Sequence, residues 1–127
     1  MDSTQIIVNS KTGFVPQQSE PEKGRFVFFY TITIENNSTT PCQLLSRHWI
    51  IQDADGKTEE VQGEGVIGEQ PIIAPQDKYT YSSGAILETE MGTMEGRYFF
   101  TWHDSDAAEE FAVMIPKFIL SIPRTLH

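Results

Sequence analysis

Six residues, Gly63-Glu64-Gly65-Val66-Ile67-Gly68, spell GxGxxG, the spacing that in dinucleotide-binding folds lets a backbone approach a pyrophosphate closely. That chemistry needs a strand running into the motif and a helix starting from it, because the helix N-terminus supplies the amide donors and the positive dipole end. Here Pro71 and Pro75 fall within the span of that helix, and no apolar i, i+3, i+4 pattern follows. Glu59, Glu60, Glu64 and Glu69 crowd the motif with charge of the wrong sign. Glu88 stands about where a ribose-binding acid would, but a chain with 18 acidic residues offers such spacings freely. The hexapeptide reads as a glycine-shaped surface loop.

Other reactive residues are scattered. His48 and His103, with the single cysteine Cys42, do not supply the clustered three or four ligands of a zinc site. Each histidine reads as a half-buried strand residue satisfied by a backbone carbonyl. Cys42 follows Pro41 with nothing local to activate its thiol, and reads as a small buried hydrophobe. Asp53-x-Asp55-Gly56 resembles the start of a calcium loop, yet the remaining ligands are out of step. A hairpin turn explains it, with Asp53 and Asp55 as weak candidates for a hydrated divalent cation. Ser82-Ser83-Gly84 lacks the strand-to-helix elbow of a serine hydrolase. Arg47 shares a strand face with Trp49, where it can reach an anion; an ion pair with the acids of the hairpin is the simpler expectation.

The elements that must position these residues are strands. Phe26 to Glu35 alternates strictly and is dense in aromatic and β-branched residues. Leu44–Gln52 is a second long strand, ended by the turn at Asp53–Gly56 and returned by Lys57–Gln62. Ile72-Ile73, 79–83 and 85–87 are short candidates. Arg97–His103 is another strand, and a turn at 105–108 leads into 110–115. Pro116 interrupts, and 118–122 closes the series. An opening strand over 5–15 has a break expected at 9–13. No helix is evident. The pattern is that of one all-β domain, 1–127, an antiparallel β-sandwich with a barrel as the alternative. Trp49 is the natural core tryptophan.

A net charge of −9 argues against long-range attraction to nucleic acid or anionic lipid, which needs a basic stripe. Two zones concentrate the acid: 53–69 holds six acids against Lys57, and 104–110 holds four with no base. No apolar run approaches the roughly 20 residues of a membrane span. One cysteine allows no internal disulfide, which suits a reducing compartment, and the N-terminal residues lack the character of a signal peptide. The expectation is a cytoplasmic protein without a cofactor.

Several stretches in order resemble the ApaG (CorD) family in its stand-alone bacterial form: Arg47-His48-Trp49-Ile50-Ile51-Gln52-Asp53, Gly63 through Pro71, Tyr79 through Gly84, Met91 through Tyr98, and Ile115 through His127. The resemblance implies an immunoglobulin or fibronectin type III-like sandwich. It links the chain to cobalt resistance and magnesium efflux, and to domains of F-box proteins and of a DNA polymerase-interacting protein, hence to protein partners. It carries over no catalytic residue. The reading is a non-enzymatic binding module using Arg47, Trp49, Gly63, Gly65 and Gly68. The alternatives are a nucleotide or pyrophosphate binder, related to diadenosine polyphosphates, and a direct binder of magnesium or cobalt.

Overall fold

The computed structural model describes residues 3–103 and 109–123. Apolar alternation drives the chain into strands β1 (Ile6–Phe14), β2 (Phe26–Asn36), β3 (Cys42–Asp53), β4 (Thr58–Glu64), β5 (Ile72–Ile73), β6 (Lys78–Leu87), β7 (Met91–Trp102) and β8 (Glu110–Ser121). The cause is plainest in β2, where Phe26, Phe28, Tyr30, Ile32 and Ile34 bury one face while Phe29, Thr31 and Thr33 take the other. One antiparallel sheet has the order β1-β2-β6. The other runs β4-β3-β7-β8, with β5 pairing to the start of β3. The two sheets form a sandwich around Trp49, Tyr98, Phe28, Phe100, Ile32 and Leu44.

Along one side β1 packs against β8, Ile6 and Val8 are buried, and the Thr12 hydroxyl donates to the Ile119 carbonyl at 3.3 Å. Along the other side the edge strands are β4 and β6, which do not pair with each other. The sandwich is therefore open there.

Three strands run through features that had marked interruptions. β1 is unbroken over 9–13, paired residue by residue from Ile6↔Asn36 to Phe14↔Phe28. Gly13 is present because the Phe29 ring lies across it; a Cβ there would meet the ring at 2.1 Å. Residues 78–87 form one strand, since Gly84 keeps its pairing with Phe29. Pro116 does not end β8. The ladder steps from Met94↔Phe118 to Gly96↔Ile115, so the proline sits in a bulge that asks no ladder bond of it. β7 also begins at Met91 rather than Arg97. The turn expected at 105–108, most of the acidic zone 104–110 and the tail 124–127 lie outside the described residues.

A second bulge decides which residues face the core. In β3 the partners step from Leu44↔Phe100 directly to Ser46↔Phe99, leaving Leu45 as the extra residue. Cys42 and Leu44 are fully buried before it; Arg47 and Trp49 face inward after it, opposite Tyr98 and Gly96. Were the same residues to alternate with no bulge, Ser46, His48 and Ile50 would take the inward positions.

Cys42 is the buried hydrophobe its context implied, and burial pushes its thiol from the ordinary 9.0 up to about 11. The folded state thus holds this proton more tightly than the unfolded chain. Its contribution is complete below pH 9 and is lost as pH rises towards 11. The stability advantage of the wild type over Cys42→Ala should shrink by about 2 kcal/mol across that window, read by urea denaturation at stepped pH.

Candidate functional site

The Leu45 bulge leaves a carbonyl outside the ladder, and the chain beyond β4 returns to satisfy it. The Gly65 amide donates to Leu45 O at 2.8 Å, and the Gln70 side-chain amide does so at 2.9 Å. Arg47 ties the same segment from the inner face: Nη1 donates to the carbonyls of Glu64 at 3.1 Å and Gly65 at 2.8 Å. Its guanidinium lies across Gly63, its cross-strand partner, where a Cβ would stand 2.9 Å from Nη1. Gly63 therefore belongs to β4 rather than to a loop. Arg47 forms no ion pair with the hairpin acids, contrary to the simpler expectation, because the loop carbonyls occupy it instead. Among the described residues its Nε and Nη2 have no partner.

The other two glycines shape a tight hairpin. Gly65 has φ +63°, and a Cβ there would fall 2.2 Å from the Glu69 carbonyl oxygen. Val66 and Glu69 exchange both backbone hydrogen bonds, at 2.8 and 2.9 Å. Between them Ile67 and Gly68 have φ +44° and +80°, the two positive angles of a type I′ turn. Glycine or asparagine accepts these angles at little cost, whereas a β-branched isoleucine is strained by them. Ile67→Asn should raise stability by about 1 kcal/mol in chemical denaturation. Ile67 is 58% exposed, so the turn holds out an apolar side chain at the expense of backbone strain.

A cleft of about 330 Å³ opens beside this turn between β4 and β6. Arg47, Trp49, Val61, Ile67, Tyr30 and Tyr81 line it. Trp49 is 2% exposed and meets Tyr30, Tyr98 and Phe118 edge to face, at centroid distances of 5.4, 6.1 and 5.8 Å. Its indole Nε1 is buried without a hydrogen-bond partner among the described residues. The hydroxyls of Tyr81 and Tyr98 bond to each other. Burial raises both of their pKa values, with the Arg47 charge opposing only in part. Both hydroxyls therefore remain protonated at neutral pH. The lining mixes these aromatic rings with aliphatic side chains and the acid Glu64, with hydrogen-bond donors from Arg47 and the tyrosines.

The remaining candidates lie elsewhere. His48 is half-buried on the outer face, with Nε2 3.1 Å from the Glu60 carboxylate rather than on a backbone carbonyl. His103 is exposed, and its backbone amide donates to the Pro41 carbonyl at 2.7 Å. Asp53 Oδ1 accepts the amides of Asp55 and Lys57, both at 2.9 Å, which closes the expected turn. Ser82 shares a hydrogen bond with Thr31 on the outer face at 2.7 Å. Among the described residues no group of three or more His, Cys, Asp or Glu is placed to hold a metal ion. No described helix is long and apolar enough to cross a membrane. Two contributors to the site escaped sequence reasoning: the Leu45 bulge, which no residue type signals, and the Tyr81–Tyr98 pair, whose alternation marked only strands.

The family model for the ApaG domain matches residues 16–102, more than half of the chain. Protein ApaG of Pseudomonas aeruginosa (strain LESB58) is 51% identical over 129 aligned residues that cover all of both chains. Protein ApaG of Pectobacterium carotovorum is 47% identical over 127, covering 100% and 99%. A crystal structure from Bordetella pertussis, Northeast Structural Genomics target BeR40, superposes with a TM-score of 0.89 at 41% identity, covering 94% of this chain and 95% of that one. A bulged sandwich with a glycine-shaped turn at its open side, a matching domain model and full-length relatives together assign this chain: it belongs to the ApaG family.

Proposed function

We propose that this protein is a non-enzymatic binding module of the cytoplasm that docks a partner protein on the face formed by Arg47, Trp49 and the turn from Gly63 to Gly68. The observation that carries this reading is Ile67, an exposed apolar side chain held by strained backbone at the lip of an aromatic cleft. Strain of this kind persists where a function uses it, and an apolar anchor beside a partly formed pocket is the usual shape of an interface hot spot. The hexapeptide is poorly suited to hold a phosphate. Its Gly65 and Val66 amides, and that of Glu69, are spent on Leu45, Glu69 and Val66. The cobalt and magnesium phenotypes implied by family resemblance then follow from the partner rather than from an ion held here.

Ile67→Asp, at an exposed position, should leave the fold intact and weaken partner capture from native cell extract at least about tenfold. Equal capture of the same partner by wild type and variant would remove this face from the interface. Diadenosine tetraphosphate, ATP, Mg²⁺ or Co²⁺ added to isotopically labelled protein should leave the amides of Gly63, Gly65 and Gly68 unmoved. Shifts there would favour the nucleotide or cation reading instead.

A further inference from the structure

The sandwich exposes four sheet edges, and three are guarded. β1 is packed against β8. β8 carries Pro116, Lys117 and a bulge. β4 carries Glu59, Glu60 and Glu64, all exposed. Charges, prolines and bulges of this kind prevent unwanted strand pairing. β6 has only Lys78, at its first position. From Tyr79 to Leu87 it holds no charge and no proline, its pairing to β2 is regular from Phe26↔Leu87 to Glu35↔Lys78, and among the described residues its other edge pairs with no strand. It borders the cleft, into which Tyr81 and Ser83 contribute.

A chain added along β6 would direct alternate side chains towards that cleft. Waiting there is Arg47, a half-buried cation with no carboxylate in ion-pairing distance among the described residues and two nitrogens without partners. In a protein of net charge −9, a cation left unpaired beside an aromatic cleft is suited to a carboxylate brought by a ligand. We propose that the cleft receives the C-terminal carboxylate of an extended polypeptide, which adds as a strand to the free edge of β6 and salt-bridges Arg47. The last side chain of the ligand is apolar and enters among Tyr30, Trp49 and Tyr81. Basic side chains at the alternate positions complement the protein's net charge of −9. A second copy of this chain is a poor occupant, because pairing β6 with itself would gather two strongly acidic molecules at one seam. This inference rests on the partner-binding reading above and specifies how that face is used.

The probes are short peptides of alternating lysine and valine ending in valine, one with a free carboxylate and one amidated. The readouts are amide shifts and hydrogen exchange of the full-length protein. The free-carboxylate peptide should slow exchange along β6 and shift the Arg47 side chain and the Trp49 indole. Amidation should weaken binding at least about tenfold, the effect of one charge-assisted hydrogen-bonded pair. Arg47→Met should bind both peptides alike. Because the wild type alone gives the amidation comparison, a poorly folded variant does not blunt the test. Equal affinity for the two peptides, binding without protection of β6, or no binding at millimolar peptide would overturn the proposal. So would β6 protection that grows with protein concentration in the absence of peptide, which would identify a second copy as the occupant. If the peptides fail while capture still depends on Ile67, the binding-module reading stands and only terminus capture falls.

Discussion

Trp49→Ala should cost about 3–5 kcal/mol of folding stability, the range for removing a large aromatic side chain from a core. Trp49 is 2% exposed and is the hub of edge-to-face contacts to Tyr30 and Phe118 on one hand and Tyr98 on the other. Alanine would leave a void continuous with the cleft, and neighbouring strands cannot collapse into it without breaking their ladders. Trp49→Phe should cost much less, about 1–2 kcal/mol. It keeps most of the apolar contact and removes an indole N–H that lacks a partner among the described residues. Urea denaturation of both variants checks this. An alanine cost under about 1 kcal/mol, or a phenylalanine cost equal to it, would show that Trp49 does not organise the core.

Gly96→Ala should be of similar severity, about 3 kcal/mol or more, although it adds a single methyl group. A Cβ at this position would lie 2.0 Å from the His48 carbonyl oxygen and 3.1 Å from the Trp49 Cα. The obstacle is backbone, which cannot swing aside as a side-chain tip can. β7 is also flanked by strands on both sides, β3 and β8, so any shift is transmitted into two ladders. Gly56→Ala is the useful contrast. Nothing lies within 4 Å of the added atom and only the backbone angle of +85° opposes it, a cost of about 1 kcal/mol. Thermal melts should rank the wild type above the Gly56 variant and that one well above the Gly96 variant. Reversal of that order would refute the close approach of β7 to β3.

The class of the fold was legible because alternation is written directly into residues such as Phe26 to Ile34, and two sheets are the simplest way to bury such faces. Element limits were less legible. Pro116 and Gly84 looked like punctuation, yet a bulge absorbs the first and an extended backbone suits the second. Of the candidate site, Arg47, Trp49 and the three glycines do converge on one side of the sandwich. Their separate tasks could not be read beforehand. Gly63 makes room for a guanidinium, Gly65 for a carbonyl and Gly68 for a turn, and each depends on what lies across the sheet. The carbonyl partners of Arg47 were equally hidden, since acids in the sequence advertise ion pairs and main-chain oxygens advertise nothing.

The extra residue at Leu45 divides β3 into two reading frames. Upstream the core takes one parity of positions, Cys42 and Leu44; downstream it takes the opposite parity, Arg47 and Trp49. Ironing out the bulge with every residue kept would turn the tryptophan and the arginine out to solvent and draw Ser46, His48 and Ile50 into the interior. Losing Leu45 itself would instead leave a regular strand with Arg47 and Trp49 still inward. The face that Arg47 and Trp49 share is thus encoded by residue count as much as by residue type. A deletion at Leu45 would therefore spare the core and instead release the glycine-shaped turn, whose Gly65 and Gln70 amides are held by the Leu45 carbonyl.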